Sequence, residues 1–139
     1  MTAPNFTFRL RYALSGRAVL AEREPLRFVK NSEVVVDLIV EEEQSGAIPP
    51  SYAAVNVTGW TSKWVSKSAL TDTDAQAKWN ISGVVTDAVN GKIRFTIPKA
   101  TMTFTAERIF GEFVLMPSAL LPQTRVPHQV TVTEAGLTI

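Results

Sequence analysis

The chain has 139 residues, of which 45% are hydrophobic and 19% charged, with a formal net charge of +1. That length suits one domain with a single core, and so small a charge argues against the clustered basic face that nucleic-acid binding needs. The absence of cysteine excludes disulfides and thiolate metal sites, and no apolar run is long enough to cross a membrane as a helix.

The first residues lack a basic segment followed by an apolar run, so no secretory signal is expected. Residues 5–13 alternate cleanly: Phe6, Phe8, Leu10 and Tyr12 point one way, Thr7, Arg9 and Arg11 the other. This predicts a strand with a polar, basic outer face. Ser15-Gly16 is a turn signal, and residues 18–22 are predicted to return as a short second strand before Pro25 interrupts the chain. Residues 34–41 form the strongest predicted strand, with Val34, Val36, Leu38 and Val40 on one face. The opposite face mixes Val35, Asp37 and Ile39, which suggests partial cover by another element or chain. Glu41, Glu42 and Glu43 are expected to open a solvated loop running through Gly46, Pro49 and Pro50.

Residues 59–66 make the next predicted strand, with Trp60, Ser62 and Trp64 on one face. A polar loop over 71–76 leads to a predicted strand over 77–81 carrying Trp79 and Ile81. Residues 83–86 and 92–97 flank a turn ending in Asn90-Gly91, a pair that readily supplies the positive φ angles of a hairpin. Ile93, Phe95 and Ile97 share the inner face of the second arm. Pro98 closes that strand, and 99–105 is expected as a short helical or turn segment. Residues 110–116 and 125–133 are the last predicted strands, the latter aligning Val126, His128, Val130 and Val132. Short strands near ten residues apart, with no amphipathic helix, predict an all-β, antiparallel sandwich or barrel of about seven to nine strands, the sandwich being the preferred reading.

Candidate chemistry is sparse. His128 is the only histidine and lies on an apolar strand face, which favours a structural role over a triad base. Asp72 and Asp74 have alternate spacing but lack the glycine and distal glutamate of a calcium loop. The carboxylates of Glu41 to Glu43 point apart in an extended chain, and no phosphate-binding glycine loop is present. The sequons at Asn5, Asn56 and Asn80 read as products of a Thr-rich β sequence. Arg9, Arg11, Lys63 and Lys67 form outer-face charge suited to solubility. Trp60, Trp64 and Trp79 alternate with polar residues as core side chains do. A glycan platform is the alternative reading, and glycan binding is not expected.

Several segments carry a family resemblance. Phe28-Val29-Lys30-Asn31-Ser32 is followed by Val34-Val35-Val36-Asp37-Leu38, and Val57-Thr58-Gly59-Trp60 by Trp64-Val65-Ser66-Lys67. Further on come the hairpin Gly83 to Pro98 around Asn90-Gly91-Lys92, and Gly111-Glu112-Phe113 opening a late strand. Together, over residues 26–133, they resemble the N-terminal immunoglobulin-like domain of upper baseplate and fibre-adaptor proteins of tailed bacteriophages. The resemblance implies a non-enzymatic structural virion protein of the tail, baseplate, neck or fibre-attachment region, with no cofactor or metal. It implies assembly in the host bacterial cytoplasm with other virion proteins and as a homo-oligomer, trimer or hexamer, without nucleic-acid or membrane partners. A carbohydrate-binding module and a capsid decoration or neck protein are the alternatives.

The chain departs from the family pattern in two ways. It is expected to end with the sandwich, without a following coiled coil or receptor-binding domain, and residues 1–24 are expected to form an additional strand or hairpin ahead of the 26–133 core. That segment supplies the candidate assembly interface: Phe6, Phe8, Arg9, Leu10, Arg11 and Tyr12. Its apolar side chains are expected to bury against a sandwich face, their own or an adjacent subunit's, because the strand alternates perfectly yet lies outside the resembling region.

Overall fold

The computed structural model describes residues 5–21, 26–29, 32–46, 48–67, 79–98, 101, 108–117 and 123–133. Within these, eleven strands form two sheets packed face to face. They are β1 (Asn5–Tyr12), β2 (Ala18–Leu20), β3 (Leu26–Val29), β4 (Val34–Glu43), β5 (Tyr52–Ala54), β6 (Thr61–Lys67), β7 (Asn80–Ser82), β8 (Val84–Asp87), β9 (Lys92–Ile97), β10 (Arg108–Met116) and β11 (Thr124–Thr133).

The first sheet runs β2-β1-β4-β9-β8, with β5 also paired to β4. β4 is its axis. One side pairs in parallel with all of β1, from Asn5 opposite Val35 to Tyr12 opposite Glu42. The other pairs antiparallel with β9 and then, at Glu41 to Glu43, with β5. The second sheet runs β3-β11-β10-β6-β7, and its β3–β11 pair is also parallel. A purely antiparallel sandwich is therefore corrected to a mixed one. A parallel pair needs a crossover between its strands. Here the chain visits the second sheet as β3 between β2 and β4.

The predicted alternation is met in β4 and β9. Val34, Val36, Leu38 and Val40 are buried, as are Ile93, Phe95 and Ile97. Against them the second sheet sets Trp64, Phe113, Leu115, Val126 and Val130. Trp64 lies at the centre, edge-on to Trp79 with ring centroids 5.3 Å apart and stacked on Phe113 at 5.1 Å. Burial of such aromatic surface contributes strongly to a core. Trp60 precedes β6 rather than lying in it, donates its backbone N–H to Val57 O, and is only half-buried against the core.

One strand serves both sheets. β7 belongs to the second and β8 to the first, with only Gly83 between them. Gly83 N–H donates to Ser62 O at 3.0 Å, and a Cβ there would fall 2.2 Å from Ser62 Oγ and 2.7 Å from Ile93 Cγ2. Strands that change sheets bend at such corners, and this one is too tight for a side chain.

The acidic triplet extends β4 instead of opening a loop. Glu41 and Glu43 face outward, and Glu42 lies opposite Tyr12 and Ala53. The predicted segment over 99–105 and the Asp72-Asp74 pair fall outside the described residues, except Thr101, whose N–H closes a turn on Pro98 O.

Candidate assembly surface

The six proposed interface residues divide cleanly by face. Phe8 and Leu10 are buried in this chain's own core, and Phe6 and Tyr12 pack against it. Tyr12 also ties the sheets together, because its hydroxyl donates to Thr124 Oγ1 at 3.0 Å. Burial there raises the Tyr12 pKa, partly offset by that hydrogen bond. Read from sequence as an extension, β1 is thus an inner strand, with its apolar face occupied within the chain. Only Arg9 and Arg11 face outward. Both reach Glu41 Oε1, at 3.7 and 3.1 Å, and the Arg11 guanidinium lies 4.1 Å over the Tyr52 ring. Further along the same outer face Arg94 forks onto Asp37 at 2.7 and 3.1 Å, which raises the arginine's pKa. Exposed pairs of this kind contribute little stability. They do leave these cations paired, with Arg9 and Arg11 sharing one carboxylate.

The apolar surface lies at one end of the first sheet. β1 and β4 run in parallel, so the turn after β1 and the loop after β4 emerge side by side, and Leu14 N–H donates to Glu43 Oε1 across them. The β8–β9 turn reaches the same end, where Val57 N–H donates to Ala88 O. Six large apolar side chains are exposed among the described residues, and five of them lie on the strands, turns and loop at this end: Leu14, Val19, Ile48, Tyr52 and Val89. Ile48 is 98% exposed, Val89 68% and Leu14 61%. An open groove between β2 and β5 is lined by Arg11, Val19, Leu20, Glu43 and Tyr52. These apolar side chains lie in separate stretches of the sequence, so alternation gave no signal for their shared end. The parallel β1–β4 pairing brings Leu14 and Ile48 there, and the antiparallel β5 and the β8–β9 turn bring Tyr52 and Val89.

His128 points into the sandwich. Its Nε2 accepts from Trp64 Nε1 at 3.1 Å, its Nδ1 lies 3.2 Å from Val126 O, and its ring stacks on Phe113 with centroids 4.7 Å apart. Burial pushes its pKa down to about 4, opposed by the Val126 carbonyl and the Glu112 charge. Both nitrogens are engaged, as expected of a structural histidine. Trp64 and Trp79 lie in the core and offer no ring to a glycan. Among the described residues no three His, Asp or Glu side chains gather as a metal site would require.

These features define a two-sheet β-sandwich domain. No protein-family model matches the chain, and neither does any curated protein. Among solved structures it is similar to the N-terminal domain of phage TP901-1 ORF48, with a TM-score of 0.53 and 11% sequence identity. The match covers 94% of this chain and 97% of that one. At that identity the likeness is one of fold.

Proposed function

We propose that this chain is a structural component of a tailed-phage virion, in the tail, baseplate or fibre-attachment region, and that its role is assembly and not catalysis. The observation that carries the reading is the shared fold with a phage protein's N-terminal domain over nearly the full length of both chains. The resembling motifs support it, because they sit at positions the fold depends on. Gly59 and Gly91 take φ of 78° and 68°, and Gly111 lies directly beneath His128. Its partners are other virion proteins and further copies of itself. The surface it offers them is the apolar loop end.

Mass spectrometry of purified tailed particles from the genome that encodes the chain tests this. The chain should be present at a fixed ratio to the other tail proteins, and immunogold labelling should place it on the tail. Absence from washed particles would overturn the proposal. Light scattering of the isolated protein across concentration then separates a self-assembling ring component from one that assembles only on the particle.

A further inference from the structure

The Asn90-Gly91 pair closes the β8–β9 turn and carries chemistry of its own. Glycine has no side chain to hinder its backbone nitrogen, so an asparagine before it is the one most open to cyclisation. In that reaction the Gly91 nitrogen gives up its proton and bonds to Asn90 Cγ. Nδ2 takes up a proton and departs as ammonia. One water then opens the succinimide ring, giving aspartate or, through the other carbonyl, isoaspartate.

Here the reacting groups are all engaged. Asn90 Nδ2 donates to Asp87 Oδ2 at 2.8 Å, and Asn90 N–H approaches Asp87 Oδ1 at 3.4 Å. Gly91 N–H donates to Ala88 O at 3.2 Å, and Gly91 O accepts from Val40 N–H at 2.9 Å. Gly91 is buried, and a Cβ on it would lie 2.5 Å from Val40 O and 2.8 Å from Val55 O, so its backbone has no room to swing. Asn90 itself is exposed. Exclusion of water is therefore not what would protect it.

We propose that Asn90-Gly91 is a deamidation site held closed by the fold, with Asp87 as the positioning residue that pins the departing amide. Cyclisation proceeds only from an opened turn. The hydrogen bond from Asn90 lowers the Asp87 pKa, so the carboxylate is ionised and accepting at neutral pH. The modification would have consequences for the sandwich. Isoaspartate lengthens the backbone where Gly91 lies against Val40 and Val55, and a chain modified while open could not close the turn in the same register.

Peptide mapping by mass spectrometry, following Asn90 over time in mildly alkaline buffer, provides the test. The samples are the folded protein, the protein in urea, and the folded variants Asp87→Ala and Asp87→Asn, each checked by circular dichroism. The urea sample should react roughly tenfold faster than the folded protein, or more. Asp87→Ala should gain roughly tenfold over wild type, the scale of one lost charge-assisted hydrogen bond. Asp87→Asn, which keeps an acceptor, should gain less, and it carries the comparison if Asp87→Ala does not fold. Equal rates for the folded and urea samples would show that the fold gives no protection. Variants that react at the wild-type rate would remove Asp87 from the account.

Discussion

Trp64 donates its indole N–H to His128, an arrangement that requires an imidazole with a free lone pair on Nε2. Protonation would place a second donor against the first. The folded pKa of about 4 lies below the ordinary value of 6.5, so between these values the unfolded chain binds more protons than the folded one. Stability from this group is therefore complete above about pH 6.5 and is lost as pH falls toward 4, by at most roughly 3 kcal/mol. No other histidine titrates in that window. Urea midpoints measured from pH 7 down to about 4 should fall, and His128→Gln should flatten the upper part of the slope, above the carboxylate range. Gly111 is the other half of this contact. A Cβ there would lie 2.3 Å from His128 Nε2. Gly111→Ala must displace the ring and is expected to cost about 1–3 kcal/mol. In a double-mutant cycle with His128→Ala most of that cost should disappear, because the alanine then fills the space the ring leaves. Simple additivity would mean that the glycine is needed for some other reason.

At the scale of elements, alternation identifies which face of a strand is buried but not which strand lies beside it. β1, β4, β9 and β11 were legible for that reason, and Asn90-Gly91 marked its hairpin through turn chemistry. β3 and β5 were not, since four and three residues are too few to show a period. The rule of one buried face also fails in the second sheet. Val65 and Val114 lie opposite Trp64 and Phe113 in the alternation, yet both are fully buried. β1 shows the cost of not knowing the neighbour. It reads as an appended arm, whereas it contributes an eight-residue ladder to β4 and two buried side chains to the core. Removing residues 1–24 should therefore prevent folding, because Val36 and Leu38 would lose the strand beside them. Circular dichroism of the truncated chain should lack a cooperative melt. A β-rich spectrum with a sharp transition would show that the sheet closes without β1. The milder Leu10→Ala should fold but lose about 2–5 kcal/mol, the range for a fully buried leucine.

For the molecule as a whole, the all-β sandwich and most of its core could be read from the sequence, but the parallel pairs could not. Those pairs bind distant parts of the chain. β1 reaches β4, Leu26 in β3 pairs with Val130 in β11, and the Tyr12 hydroxyl meets Thr124 across the sandwich. The strand through Gly83 belongs to both sheets, so neither can separate without breaking that corner. Such connectivity has two consequences. Folding must close long loops before their contacts form, which places it in the slow, millisecond-to-second range of β-sandwiches. Unfolding should also be all-or-none. Trp64 and Trp79 report on the second sheet and the interior, whereas far-UV circular dichroism reports on strands of both sheets. Urea curves from the two signals should superimpose, and tryptophan emission should start blue-shifted and stay unmoved by added glycans. If the tryptophan transition preceded the backbone transition, the two sheets would be separable units and Gly83 a hinge, not a clasp. Gly83→Val tests the same point from the other side. A side chain at that corner collides with both sheets at once, so it should lower both midpoints together.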